Sequence, residues 1–172
     1  MTREHEVKLC ENEIIITKTD QKGRITYANR RFMQIAGYAE PELLGKHHNI
    51  IRHQDMPRGV FRLLWQTLQS KKEFFGYVKN ATADGGFYWV FANITPDYQV
   101  DSTLAGYFSV RRRPNYQAIQ KVSQWYQQML TIEANETPSR APEVSLLWLK
   151  DQIKQQACSY DELLIQLEAL KE

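Results

Sequence analysis

The stretch that decides the fold is residues 13–29, EIIITKTDQKGRITYAN. Residues 13–19 form a short run rich in β-branched side chains, which is typical of a strand. The turn formers of residues 20–23 follow, and residues 24–28 make a second strand-like run. Two strands joined by so short a turn predict a β-hairpin. Asn29 then stands where a helix can begin, because its side chain can cap the free N–H groups of a first turn.

Helical and strand-like patterns alternate after the hairpin. Phe32, Ile35 and Ala36 fall at helical spacing and Gly37 is a natural stop, so a short helix follows. Residues 38–56 favour brief helical turns and loop. A longer helix is predicted over about 57–70, with an apolar stripe of Val60, Phe61, Leu64, Trp65 and Leu68.

Three further strand-like runs complete the pattern, at residues 73–81, 87–96 and 104–112. With the hairpin they make five strands, separated by helices and by turns rich in glycine and aspartate. The sequence therefore predicts an α+β fold, a five-stranded antiparallel sheet with short helices on one face and a small-molecule pocket between them.

The C-terminal part changes to a purely helical pattern. Apolar residues recur every three or four positions over 116–132, and a linker with Pro138 and Pro142 leads to helices over 144–157 and 160–170, where Asp161 can cap. We expect residues 1–12 to form an N-terminal cap, 13–113 the main domain and 114–172 a helical extension, which packs on the domain or binds a partner.

Composition narrows the function classes. The 172 residues carry a net charge of only +2, with scattered basic residues, so nucleic-acid binding is not expected, and the triplet Arg111 to Arg113 is interpreted as a solvated strand end. Cys10 and Cys158 have no metal or redox spacing. No signal peptide or membrane span is visible, which predicts a soluble, cytoplasmic protein. No catalytic or phosphate-loop pattern appears, so an enzyme is not expected.

A polar cluster precedes the longer helix, in NIIRHQDMP at residues 49–57. Arg52 offers a planar donor fork suited to phosphate, and His53 and Asp55 add further polar groups. Pro57 fits a first helical turn, whose free N–H groups favour a nearby anion. The cluster predicts a phosphate-bearing ligand. The alternative is that Asp55 caps the helix and Arg52 pairs with it at the surface.

These motifs carry a family resemblance over about residues 13–113. The order of elements, ITYAN at 25–29, and GY at 37–38 followed by PELLG at 41–45 resemble a PAS sensor domain. More narrowly, HNIIRHQDMP at 48–57, GYVKN at 76–80 and YWV at 88–90 are similar to the FAD-binding PAS domain of bacterial aerotaxis receptors. The resemblance implies that the chain binds FAD.

The resemblance also implies a set of flavin-binding residues. Arg52, His53 and Asp55 correspond to the polar triplet needed for the flavin, and Trp65 to the tryptophan of the following helix. Asn29, Asn80 and Trp89 match positions that line the ring pocket. A flat apolar slot would come from Phe61, Trp65, Phe74 and Trp89, and amides from Asn29, Asn80 or Asn93. Each of these also has a structural interpretation, as a helix cap, a core residue or a strand end.

Two positions depart from the family pattern. Gln54 stands where the family usually has proline, and Glu73-Phe74 where it has a Pro-Trp pair. Loss of a tryptophan ring at Phe74 is expected to alter flavin affinity or redox potential while still filling apolar space.

Three functions are compatible with these features. The first is a redox or oxygen sensor of the aerotaxis type, in which FAD changes state and the helices of 114–172 signal to a partner or form a homodimer. The second is a cofactor-free interaction or dimerisation module. The third is a haem-binding gas sensor, against which the helix at 57–70 offers no histidine as a proximal ligand.

Overall fold

The structure, a computed structural model, describes residues 5–171. The chain divides into two units, which we call the sheet unit and the helical unit. The sheet unit comprises the residues up to 53 together with 71–113, and the helical unit comprises 54–70 together with the residues from 114 onward. Residues 1–4 of the expected N-terminal cap, and residue 172 of the expected extension, lie outside the described residues.

The sheet unit is built on the five strands that the sequence predicts. They are β1 (Ile14–Asp20), β2 (Ile25–Ala28), β3 (Phe74–Ala81), β4 (Phe87–Tyr98) and β5 (Leu104–Arg112). Their order across the sheet is β2-β1-β5-β4-β3, and all neighbouring pairs are antiparallel. The α+β class and the antiparallel sheet are confirmed, with β5 at the centre.

Short helices follow the hairpin, as predicted: α1 (Arg30–Ala36), α2 (Glu40–Leu43) and a 3-10 helix (His48–Ile51). Asn29 is the N-cap of α1, where its Oδ1 accepts the N–H of Phe32 at 3.0 Å. Its Nδ2 donates to the carbonyl of Ile14 at 2.9 Å, which ties the start of α1 to β1. Gly37 ends α1 with a φ of 75°, a conformation that glycine adopts without strain.

The helices cover one face of the sheet, which we call the inner face. Side chains alternate between the two faces along each strand, so residues paired across strands share a face. Ile15, Tyr88, Val90 and Ala92 are buried on the inner face. They pack with buried residues from the hairpin, the short helices and the N-terminal segment, namely Leu9, Ile25, Ala28, Phe32, Ile35, Ala36, Leu43 and Ile51. Because apolar burial drives this packing, the inner face is the core of the sheet unit.

The described part of the helical unit contains four helices: α3 (Arg58–Gln69), α4 (Tyr116–Ala134), α5 (Ala141–Gln155) and α6 (Tyr160–Glu168). All four correspond to predicted helices. Two details differ from the sequence interpretation. Pro142 lies in the first turn of α5 rather than in a linker, because proline is tolerated where an N–H has no helical acceptor. The N-cap of α6 is Ser159, not Asp161, and Ser159 forms a capping box with Glu162.

A single carboxylate ties three of these helices together. Glu133 of α4 accepts the backbone N–H groups of Arg58 at 3.0 Å and Gly59 at 2.9 Å, which are the first residues of α3. It also accepts the hydroxyl of Ser145 in α5 at 2.6 Å. A Cβ on Gly59 would lie 2.9 Å from both the Met129 side chain and the backbone nitrogen of residue 146, so the missing side chain permits this close packing. Glu133 therefore supplies the negative charge that the start of α3 favours.

Candidate functional site

The structure joins the predicted polar cluster to β3. The 3-10 helix ends at Ile51, and the backbone of the next residue, Arg52, pairs with that of Asn80 as an isolated antiparallel bridge. The Arg52 side chain is exposed, whereas His53 is buried with its ring edge-on to Phe87 at 5.8 Å between centroids. Two candidate residues that are far apart in sequence, Arg52 and Asn80, are thus neighbours in the sheet unit.

The start of α3 is not a free anion site. The N-cap of α3 is Pro57, so Asp55 does not cap this helix. The first two N–H groups of α3 already donate to the Glu133 carboxylate. A phosphate expected there would compete with a carboxylate of the same charge, and we therefore correct that expectation. Asp55, Phe61 and Trp65, three of the predicted flavin residues, belong to the helical unit, with both aromatic rings on α3.

The remaining candidates divide between the two faces of the sheet. Asn80 and Phe74 lie on the inner face, because their partners on β4 are Tyr88 and Ile94, which belong to the inner-face core. Trp89 and Asn93 occupy the alternate positions of β4 and lie on the opposite, outer face. Asn93 donates there to the carboxylate of Glu73 at 3.1 Å. The structure therefore does not bring Trp89 and Asn93 together with Asn80.

Asn29 makes local hydrogen bonds in the sheet unit. Both ends of its amide are engaged with backbone groups of α1 and β1, as described above. These contacts make Asn29 the cap of α1, and its contact with a flavin stays a prediction.

A buried arginine on the inner face is missed by the sequence interpretation. Arg111 of β5 is only 3% exposed, which corrects the expectation that the arginine triplet is a solvated strand end; Arg112 on the other face is exposed. The Arg111 Nη2 donates to Thr17 Oγ1 at 2.5 Å and to His48 Nε2 at 2.6 Å. Its guanidinium also lies over the ring of Phe32, 5.5 Å from the centroid. The inner face thus holds a fixed positive charge.

His48 is held in its neutral form by this arginine. Its Nε2 accepts from the Arg111 guanidinium, and a protonated imidazole could not accept there. Burial and, after it, the charge of Arg111 hold the pKa of His48 well below its usual value of 6.5. The ring also stacks on Phe32, with centroids 6.0 Å apart and planes 16° apart. His48 therefore serves as an acceptor that orients Arg111.

The neutral His48 makes stability depend on pH. In the unfolded chain this histidine gains a proton near its ordinary pKa of 6.5, whereas in the folded protein it does so only at a much lower pH. Between those two values the unfolded state binds more protons, so stability falls as the pH drops below about 6.5, by up to about 1.4 kcal/mol per pH unit. We expect urea unfolding to show this slope in the native chain and to lose it in His48→Gln. His47→Gln, an exposed neighbour, should keep the slope; an identical slope in all three chains would contradict the assignment.

Four buried polar atoms on the inner face have no hydrogen-bond partner among the described residues. They are Nδ2 of Asn80, Oη of Tyr88, Oγ of Ser109 and Nη1 of Arg111. An unsatisfied buried group costs about 1–3 kcal/mol, so a cluster of four is unusual. All four residues face the inner side, since Asn80 pairs with Tyr88 and Ser109 shares the face of Arg111. The amide nitrogen of Asn80 and the guanidinium nitrogen of Arg111 can only donate hydrogen bonds. A partner for these two atoms must therefore present acceptors.

The four polar groups lie beside an apolar stretch of β4. Tyr88 and Ala92 are four residues apart on β4, about 13 Å along the strand, with Val90 between them. Ala92 pairs with Gly76 on β3 and with Arg111 on β5. Burial raises the pKa of Tyr88, which keeps its hydroxyl neutral, although the Arg111 charge and the Asn80 side chain act in the opposite direction. Polar groups and an apolar stretch with small residues therefore share the inner face.

Residues 5–171 contain neither a cluster of metal-binding side chains nor a helix suited to cross a membrane. No three His, Cys, Asp or Glu side chains in this range lie together as a possible metal site. None of the helices in the same range combines the length and the apolar character needed to cross a membrane.

Comparisons with known proteins agree with this architecture. The family model described as the PAS fold matches residues 25–110, which include α3. The aerotaxis receptor of Escherichia coli is 37% identical over 118 residues, which cover 69% of this chain and 23% of the receptor. The nitrogen fixation regulatory protein of Klebsiella pneumoniae is 32% identical over 99 residues, covering 58% of this chain and 20% of that protein. The chain thus spans about a fifth of the length of these relatives.

Solved structures agree with the same fold. A light-oxygen-voltage domain studied with a flavin analogue superposes with a TM-score of 0.53 at 18% identity, covering 72% of this chain and 87% of that one. The dark structure of the blue-light photoreceptor aureochrome1 gives 0.52 at 18% identity, covering 70% and 85%. At this identity the likeness concerns the fold alone. The resemblance seen in the sequence is confirmed: this chain belongs to the PAS fold family, as a signalling sensor domain related to those of the aerotaxis receptor and the nitrogen fixation regulatory protein.

Proposed function

We propose that the chain is an FAD-binding sensor of redox state or oxygen, and that it acts in the cytoplasm as a signalling module rather than an enzyme. The observation that carries this proposal is the set of buried polar atoms on the inner face of the sheet that have no hydrogen-bond partner in the described part of the chain. The similarity to the aerotaxis receptor of Escherichia coli supports it.

The inner face fits a flavin chemically. The pyrimidine part of the flavin ring presents carbonyl oxygens and ring nitrogens as acceptors. Asn80 and Arg111 each have a buried donor without a partner among the residues that the structure describes. The neighbouring inner-face side chains of Val90 and Ala92 are apolar, which is the character that the dimethylbenzene part of the ring requires. The exposed guanidinium of Arg52, on the residue paired with Asn80, is our candidate for the diphosphate of FAD.

When bound, the flavin would supply reversible electron transfer. The chain's own residues would respond to the change in ring charge through their hydrogen bonds. Asn80 and Tyr88 belong to adjacent strands, so a change in their hydrogen bonds acts directly on the β3–β4 pair. Arg111 acts likewise on β1 through Thr17 and on the 3-10 helix through His48. We propose that a change in ring charge alters these hydrogen bonds and so shifts the strands and the 3-10 helix of the sheet unit.

The proposed sensor domain is residues 13–113 and the proposed output is the extension 114–172. Within the helical unit, Glu133 and Ser145 connect α3 to α4 and α5. Since α3 is joined in sequence to the sheet unit at both ends, a shift of α3 is passed to the extension through this carboxylate. The extension would then change its self-association as a homodimer or its affinity for a signalling partner.

The test compares the oxidised protein with the same protein reduced under nitrogen. We expect limited proteolysis to cut the extension at different rates in the two states, and the oligomeric state or partner binding to change with it. The matched control is Arg52→Ala treated with the same reductant, because its weakened flavin binding should remove the difference. Identical cleavage and assembly in both states of the flavin-loaded native chain would contradict the proposed sensor.

A further inference from the structure

The guanidinium of Arg111 is hydrogen-bonded to the described residues through Nη2 but not through Nη1. One end of its guanidinium is used by the chain, since the two hydrogens of Nη2 have two acceptors, Thr17 Oγ1 and His48 Nε2. The other end, Nη1, is fully buried and has no hydrogen-bond partner within the described part of the chain. Within the described residues, Nη1 is therefore a buried donor whose hydrogen bonds the chain does not use.

The surroundings leave Arg111 without a balancing carboxylate among the contacts that the structure gives it. Its neighbours are Thr17, the neutral ring of His48, the face of Phe32 and the hydroxyl of Tyr88. Burial lowers the pKa of Arg111 to about 10, so it keeps its charge at neutral pH. A buried cation that is paired only with neutral groups is costly, and a ligand that becomes negative would compensate it.

We infer that Arg111 is the residue that raises the reduction potential of the bound flavin, by donating from Nη1 to the pyrimidine edge of the ring. The inference rests on the proposed flavin binding and names the residue that regulates that site. When the neutral oxidised ring takes up two electrons from a reductant and one proton from solvent, it becomes an anion. A fixed cation stabilises the anion more than the neutral ring, so the redox equilibrium shifts toward reduction. Thr17 and His48 act as positioning residues for the guanidinium.

The first test changes the charge of Arg111. Arg111→Gln keeps a donor but removes the charge, and Arg111→Lys keeps the charge. We expect Arg111→Gln to lower the midpoint potential by at least about 30 mV, which is a tenfold change in the equilibrium constant of a two-electron couple. In Arg111→Lys the midpoint potential should fall less than half as far. The matched control is Arg112→Gln, on the outer face over Phe91 at 4.8 Å, which should leave the potential unchanged.

An unchanged potential in Arg111→Gln, or equal shifts in the glutamine and lysine variants, would overturn the inference. Thermal unfolding of the flavin-free variants shows whether a lost signal comes from misfolding. If native protein binds no flavin at all, the proposed function itself fails, which is a different outcome.

A second measurement needs no variant. Two electrons with one proton give a potential that falls by about 30 mV per pH unit, whereas two protons give about 59 mV. We expect the native protein to show the smaller slope down to about pH 6, because Arg111 keeps the reduced ring anionic. The larger slope throughout the range between about pH 6 and pH 8 would overturn the inference even if every variant failed to fold.

Discussion

Asn80→Leu is expected to weaken FAD binding by one to two orders of magnitude while leaving the flavin-free protein as stable as the native chain. Leucine has the same number and branching of side-chain heavy atoms as asparagine but has no donor, so the hydrogen bond that Asn80 offers to the ring is lost, at about 1–3 kcal/mol. In the absence of flavin the Asn80 Nδ2 is buried without a partner among the described residues, and its removal relieves an unsatisfied group. Titration with FAD followed by fluorescence, and urea unfolding of the flavin-free chains, measure the two effects.

The matched control for this variant is Asn93→Leu. Asn93 lies two strand positions from Phe91 on the outer face, where its side chain bonds to Glu73. It should keep native flavin affinity. Equal loss of affinity in the two variants would show that the ring does not lie against the inner face, and a strongly destabilised flavin-free Asn80→Leu would show that Asn80 is a structural residue.

Gly106→Ala is expected to lower the free energy of unfolding by at least about 3 kcal/mol, because β5 can no longer pair with β1 in its present position. Gly106 lies in β5 and pairs with Asp20 of β1 and Asp97 of β4. A Cβ there would clash with the backbone carbonyl oxygen of Thr19, and would lie only 2.8 Å from the carbonyl carbon. Backbone cannot rotate away as a side chain can, so the central strand must shift. Chemical denaturation, or loss of soluble expression, measures the effect.

Gly45→Ala is the control for the Gly106 variant. Gly45 has a φ of +76°, and a Cβ added to it would meet no atom of the described residues within 4 Å. The substitution therefore carries only the backbone penalty of about 1 kcal/mol. If both variants cost the same, the close approach of β5 to β1 is not a determinant of the fold.

Local signals account for what the sequence predicts correctly. The hairpin follows from a β-branched run and a short turn, and α1 follows from a capping asparagine at its start and a glycine at its end. These signals need only neighbouring residues. The strands of the second half and the four longer helices are likewise predicted, because their period of two or of about 3.6 is visible in a window of a few turns.

Long-range partners account for what the sequence interpretation misses. Arg111 meets Thr17 and His48 across 94 and 63 residues, and in sequence it stands in a run of three arginines that resembles a solvated end. The apolar Val110 beside it points to the other face, so the polar positions of β5, Ser109 and Arg111, are the inward ones. Which residues of β5 face the inner side can be derived only from the strand register.

The same reason explains two further corrections. The acceptor of the first N–H groups of α3 is Glu133, 75 residues away from Arg58, and no local motif identifies it. Trp89 is grouped with Asn80 in the sequence interpretation because both match pocket positions of the resembled family, and Asn93 is added because its amide suits a flavin. The pairing of Asn80 with Tyr88 places them on the other face, and that pairing depends on the β3–β4 register.

The most direct test of the central claim is the absorption spectrum of the purified native chain after incubation with FAD and removal of the unbound flavin, with release and identification of the retained chromophore. Asn80 and Arg111 have donors without a partner among residues 5–171, and these donors predict a yellow protein that releases FAD in about equal amount to the chain. Native protein that is folded yet retains no flavin would contradict the claim, and would leave a PAS module that acts without this cofactor.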